Sequence, residues 1–278
     1  MVNVITHKTV LMRNAEKSKM DINNPERGER IAKVMARLGV ASRRDAERMI
    51  EDGRVQLNGQ TVTTPATFIT EGDNLVVDGN KLGKKEQPRL FLYHKPSGLI
   101  TTAKDPEGRP TVFEKMPKDL PRLISVGRLD LNTEGLLLLT NDGGLSRLLE
   151  LPSTGLKRTY RVRVHATGRG GQAALAEKLD KLQKGLVWNG VRYGAIHAYI
   201  DDQQKSDSTN VWVTMTLTEG KNREIRNVME ALGYQVSRLI RLSYGPFDLG
   251  TLQRGDLFEL PQRQVKEKLP ADIVKQIY

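Results

Sequence analysis

Four consecutive leucines, Leu136 to Leu139, follow Gly135 and stop short of Asn141-Asp142-Gly143. A short apolar run closed by turn residues reads as a buried strand. Such a strand needs a sheet beside it and a covering layer, so this part of the chain must build a substantial core. It also sets the surroundings of what precedes it. Val126-Gly127-Arg128-Leu129-Asp130-Leu131-Asn132-Thr133-Glu134 places one carboxylate, Asp130, on the loop entering that core, next to an arginine. A loop carboxylate that is partly desolvated and near a cation is a candidate for chemistry.

The patterns around that strand define an α+β chain. Arg89-Leu90-Phe91-Leu92-Tyr93 reads as a strand broken by Lys95-Pro96-Ser97-Gly98. Alternation puts Tyr160, Val162 and Val164 on one strand face with arginines on the other, and Val211, Val213, Met215 and Leu217 repeat it. Ile225, Val228, Met229 and Leu232 form one helical stripe. Strands and helices mix without a regular βαβ repeat, which argues for a mainly antiparallel sheet with helices packed on it. We expect this larger domain to span 89–262, with a C-terminal tail over 263–278.

A smaller α/β module is expected over 28–80. Ile31, Val34, Met35 and Leu38 recur at helical spacing before Gly39; Ser42 offers an N-cap, with Asp45 in the first turn, to a second helix ended by Gly53. Strand-like pieces follow, with the turn signals Asn58-Gly59 and Asp78-Gly79. The polar run 81–88 reads as a linker, and 1–27 as a basic mobile tail.

The net charge of +11 over 278 residues points to a polyanionic partner. No apolar run approaches the roughly 20 residues that cross a bilayer, so nucleic acid is favoured over membrane. Without a secretory h-region the chain is expected to be cytoplasmic, and we expect a monomer. There is no cysteine, the four histidines show no metal-ligand spacing, and no glycine-rich nucleotide fingerprint occurs. No metal and no cofactor are expected. A basic face is expected on the small module, from Lys33 and Arg37 on its first helix and Arg43, Arg44 and Arg48 on its second. A helix N-terminus flanked by arginines suits phosphate.

Two resemblances give these residues roles. Ile31 to Arg44, continuing through Asp52-Gly53-Arg54-Val55-Gln56-Leu57-Asn58-Gly59, resembles the S4 RNA-binding domain, which implies binding to structured RNA through the two helices. Gly127-Arg128-Leu129-Asp130 with Thr133 and Gly135-Leu136 resembles the catalytic motif of the RsuA/RluB family of pseudouridine synthases. Lys95 to Gly98, Asp105 to Thr111, Lys157 to Val162 and Leu217 to Arg226 extend that similarity, which covers residues 29 to 262. Asp105 to Thr111 and the Asp130 motif are most similar to the type acting on large-subunit (23S) rRNA, with small-subunit rRNA as the alternative.

The resemblance implies isomerisation of uridine to pseudouridine in ribosomal RNA, with Asp130 as the essential aspartate acting on a flipped-out nucleotide. It matches Tyr160 to an active-site tyrosine able to stack on uracil. For the cation beside Asp130, Arg223 and Arg226 compete. If Ile225 faces inward, Arg226 lies about 100° away at the edge of the stripe and Arg223 points nearly opposite. Arg226 is therefore expected to pair with Asp130, as the family position implies, and Arg223 to meet phosphate or solvent. Arg128 is expected either to place the backbone of the flipped nucleotide or to anchor the loop; Lys95 and Arg109 are expected to contact RNA, with Arg161, Arg163, Arg238 and Arg241 as further basic lining. Two other readings compete: a catalytically silent RNA-binding assembly factor and an S4-linked methyltransferase. The first is disfavoured by the presence of both Asp130 and Tyr160, the second by Lys95-Pro96-Ser97-Gly98 where a cofactor loop should lie.

Overall fold

The computed structural model describes residues 28–83, 86–166, 171–201 and 209–278; the expected N-terminal tail lies outside them. The chain divides between residues 85 and 86 into two units. No helix of the described residues is long and apolar enough to cross a membrane.

In the first unit, β1 (Glu29–Arg30) leads directly into α1 (Ile31–Arg37), and α2 (Arg43–Glu51) follows a turn. Ser42 caps α2 by accepting from the Asp45 amide at 3.1 Å, as the Ser–Asp spacing predicts. The strands β2 (Val55–Leu57), β3 (Gln60–Thr61), β4 (Phe68–Ile69), β5 (Leu75–Val77) and β6 (Asn80–Lys81) are short. They form a sheet of order β3-β2-β5-β6, while β4 pairs with β1. Both hairpin turns have two successive positive φ angles, +53° and +83° at Asn58-Gly59 and +49° and +77° at Asp78-Gly79. That is the turn matching strand twist, and Asn-Gly and Asp-Gly reach it at least strain. Ile31, Met35, Ala46, Ile50 and Val55 meet in the core with no exposure.

The boundary expected at 80/81 shifts. Lys81 ends β6, and Leu82 donates its amide to Leu75 O (2.9 Å) and packs on the first core. An apolar side chain in a polar run carried this extension. At the other end of the expected linker, the Gln87 and Pro88 carbonyls accept from Asn141 and Tyr278 of the second unit.

The second unit is built on β7 (Leu90–Lys95), β8 (Ile124–Ser125), β9 (Thr133–Thr140), β10 (Arg158–His165), β13 (His197–Ile200), β14 (Asn210–Leu217), β15 (Val236–Tyr244), β16 (Phe247–Asp248) and β17 (Leu257–Leu260). A separate hairpin pairs β11 (Leu186–Trp188) with β12 (Val191–Tyr193). The main sheet runs β13-β14-β10-β15-β9-β7-β17, with β8 and β16 at the side. Among the described residues its one parallel strand pair, β15 with β9, lies at the centre, and the other strand pairs are antiparallel.

The helices α3 (Gly143–Glu150), α4 (Gly171–Lys181) and α5 (Glu224–Ala231) pack on this sheet. Every residue of β9 is buried, because its alternate leucines enter two cores. Leu136 and Leu138 pack with α3, while Leu137 and Leu139 meet Phe91, Tyr93 and Leu129. Gly135, the third residue of this strand, has φ +102°, and a Cβ there would lie 2.3 Å from Arg241 O. The parallel crossing of β9 and β15 thus requires glycine.

The segment 263–278 is not a tail. It forms α6 (Gln262–Lys268) and α7 (Ala271–Ile277), and Val265, Leu269 and Ile273 are buried in the core beside α3. Val265 and Ile273 lie on the two helices and Leu269 on the extended turn between them, a set that the polar residues around it hide in the sequence.

Candidate active site

The loop carrying Asp130 is held from beneath. Lys95 ends β7 with no exposure, and its ammonium donates to the carbonyls of Pro96 (3.1 Å), Asp130 (3.1 Å), Leu131 (3.2 Å) and Thr133 (2.9 Å). Thr101 exchanges hydrogen bonds with the Leu129 amide and carbonyl, and Gly98 N donates to Leu131 O at 2.9 Å. Lys95 is therefore a brace inside the protein and does not line an RNA surface, which corrects the expectation. Burial lowers its pKa to about 8 despite the opposing pull of Asp130 and Glu134. The Lys-Pro-Ser-Gly break supplies both the brace and the turn that docks on the loop.

Above the brace lies a cavity of about 250 Å³ whose wall includes Arg128, Asp130, Tyr160, Arg223 and Arg241. The Asp130 side chain is 36% exposed, so its carboxylate is open to this space. Tyr160 is half-buried on β10, packed between the two cores that flank the cavity. The structure therefore brings Asp130 and Tyr160, 30 residues apart in sequence, to one pocket.

Among the described residues the cation within ion-pair distance of Asp130 is Arg223, at 3.8 Å. This differs from the helical-phase expectation, for a local reason. Arg223 is the N-cap of α5 with φ +49°, so it stands outside the helix and its direction cannot be extrapolated at 100° per residue. Arg226 is inside the helix and half-buried, and it donates to Val236 O (3.2 Å) and Asn132 O (3.4 Å). It thus grips the Asp130 loop through its main chain. Burial lowers the Arg226 pKa, with Arg223 adding to that effect and Asp130 opposing it. Arg223 and Arg226 flank Asp130 together, one facing its carboxylate and one anchoring its loop.

Glu224 opens α5 almost fully buried and accepts from the Lys221 amide at 2.8 Å. Burial raises its pKa above the usual carboxylate range. This clasp fixes the turn from which Arg223 emerges. Arg128 is exposed at the pocket rim. Arg109 is held by Asp105 and Glu107 in a separate loop, and these hydrogen bonds bring Asp105 down to about 2. In the first unit Arg43 and Arg44 are exposed at the start of α2, Arg48 pairs with Asp45, and Lys33 and Arg37 share Glu29.

Arg161, Arg163 and Arg238 do not line the pocket. They gather over the Trp212 ring, with Arg161 on Asp201 and Arg238 on Glu134. Strand alternation sends them to the face opposite Tyr160. Arg158 is a pocket residue that reading of the sequence did not single out. Its place two residues before Tyr160 on the same strand was the available signal.

The comparisons with known proteins agree with this geometry. Residues 89–231 match the family described as RNA pseudouridylate synthase, and residues 29–75 match the S4 domain. An uncharacterized RNA pseudouridine synthase of Rickettsia felis is 45% identical over 232 residues, covering 84% of this chain and 96% of the relative. The chain belongs to the pseudouridine synthases of the RsuA/RluB type, with an S4 domain. A ribosomal large subunit pseudouridine synthase B of Yersinia pestis is 41% identical over 84% of this chain and 73% of its own length. A crystal structure of a pseudouridylate synthase superposes with TM-score 0.56 at 26% identity, covering 87% of this chain and all of the other. A synthase of this family is an isomerase, which removes the silent-factor and methyltransferase readings.

Proposed function

We propose that this pseudouridine synthase isomerises a uridine of large-subunit (23S) rRNA, with Asp130 as its catalytic carboxylate. The observation that carries the site is the convergence of Asp130, Tyr160 and Arg223 on one cavity, over a loop braced by Lys95. The large-subunit assignment is supported by the names of relatives near 41% identity, including those from Yersinia pestis and Salmonella typhimurium.

The reaction breaks the C1′–N1 bond of uridine, turns the uracil and forms a C1′–C5 bond. The C5 proton leaves and N1 gains one, so atoms balance without a group donor. The target base must leave its stack to reach a pocket, at a cost of a few kcal/mol that is least in a loop or bulge. Tyr160 offers an aromatic face to the flipped base. Asp130 acts either as nucleophile or as base toward the ribose, and both roles need it ionised and near the sugar. Arg223, 3.8 Å from the carboxylate, fixes its direction. The exposed arginines of the S4 domain add phosphate contacts that offset the cost of flipping.

Mapping pseudouridines in the rRNA of cells with and without the gene tests the assignment. One large-subunit position should lose its modification. Loss from small-subunit rRNA instead, or from neither, would overturn the substrate.

A further inference from the structure

Two arginines in the inner wall of the pocket carry charge that no carboxylate of the described residues pairs with. Arg241 is 2% exposed and Arg158 is 8% exposed, and cations this deep are almost never left unpaired. Arg158 donates to the carbonyls of Leu156 and Thr218 and to the Tyr244 hydroxyl. Arg241 donates from Nε to Leu136 O at 2.7 Å, and its Nη2 is buried without a hydrogen-bond partner among the described residues. Both guanidinium carbons lie over the ring of Tyr244, at 4.6 and 5.1 Å from its centroid.

Of the four carboxylates of the wall, Asp130 faces Arg223 and Glu224 accepts from the Lys221 amide, and the other two are also engaged elsewhere. Glu150 accepts from Ser146 Oγ, and Glu219 accepts from Gly194 N and Lys221 Nζ. Register places Arg241 opposite Tyr160 on one side and Gly135 on the other. It therefore sits between the tyrosine and the strand that carries the Asp130 loop. A planar guanidinium with an N–H edge that no described residue accepts matches phosphate geometry.

We propose that Arg241, with Arg158 behind it, is the phosphate subsite for the target nucleotide. Nη2 of Arg241 donates to a phosphate flanking the flipped uridine and holds the ribose with C1′ toward Asp130. This inference rests on the reading of Asp130 as the catalytic carboxylate.

The test uses the full-length enzyme and an RNA that the wild type modifies, with a neutral methylphosphonate replacing each phosphate flanking the target uridine in turn. At one of the two linkages the wild type should lose about ten- to hundredfold in kcat/KM, the scale of a charged hydrogen bond. Arg241→Gln should lose a similar factor on unmodified RNA and nothing further at that linkage. Arg241→Lys, which keeps the charge, should recover part of the rate and remain sensitive to the methylphosphonate. A general packing defect predicts the opposite, with losses that multiply at both linkages. Multiplying losses, or an Arg241→Gln enzyme as fast as wild type, would overturn the subsite. The Asp130→Asn enzyme separates the two readings. Retained activity there sinks the role of Asp130 alone, whereas non-additivity at Arg241 stands or falls by itself.

Discussion

Arg223 and Arg226 flank the same aspartate, but removing them should have different consequences. The Arg223 side chain is 54% exposed and meets Asp130 at 3.8 Å. An exposed pair contributes at most about 1 kcal/mol to stability, or about 3 °C in Tm for a domain of this size. Arg223→Gln should therefore leave the melting curve nearly unchanged while lowering kcat by about ten- to hundredfold. Arg226 is half-buried and bonded to two carbonyls, one of them on the Asp130 loop. Arg226→Gln should cost about 1–3 kcal/mol of stability and reduce turnover as well. Equal stability losses in the two variants would contradict this division, and thermal melts beside single-turnover rates read it directly. The sequence made the neighbourhood of Asp130 legible but left the identity of its partner open. Helical phase brings Arg226 to the Asp130 loop but not to its carboxylate, and it fails at Arg223, whose left-handed backbone lies outside the helix. The inner arginines were harder still: alternation along β15 puts Arg241 and Arg238 on opposite sheet faces, but it does not say which face holds the pocket.

At the level of elements, the strands and helices of both units follow from periodicity. Ser42, Asn58-Gly59 and Asp78-Gly79 mark a cap and two turns because local chemistry decides them. Less legible were Lys95 and the C-terminal helices, where tertiary burial decides. Truncation after residue 261 would remove the buried Val265, Leu269 and Ile273. At about 1.5–3 kcal/mol for each side chain, the loss is comparable to the whole stability of a domain. The truncated protein should be insoluble or melt at least ~10 °C lower.

Lys95 gives a pH prediction. Its folded pKa is about 8 against an ordinary 10.5. Between those values the unfolded chain binds more protons. The cost of burying this charge is thus fully present below pH 8 and fades as pH rises toward 10.5. The Asp130 loop nevertheless needs the donors of the ammonium, and a neutral amine has only two N–H groups for four carbonyls. Turnover should fall as pH rises through about 8, with no matching drop in Tm attributable to this group. A rate that stays flat from pH ~7 to ~9.5 would contradict the brace.

For the whole molecule, a charge of +11 makes RNA binding strongly dependent on salt. Arg43 and Arg44 stand exposed at the start of α2 in the S4 domain. Replacing both by alanine should flatten the slope of log K against log salt by about 1.5 while leaving the pocket chemistry intact at saturating RNA. An unchanged slope would place the RNA elsewhere. The two-unit organisation was legible from the polar break and the paired patterns on either side of it. The exact join was not, because Leu82 belongs by packing to the first unit. Asp130→Asn, assayed on a large-subunit rRNA transcript or precursor particle, separates this RNA-binding frame from the chemistry of one carboxylate. Pseudouridine formation should vanish while salt-sensitive RNA binding stays within about twofold of wild type; pseudouridine made at the wild-type rate would show that the chemistry belongs to another residue.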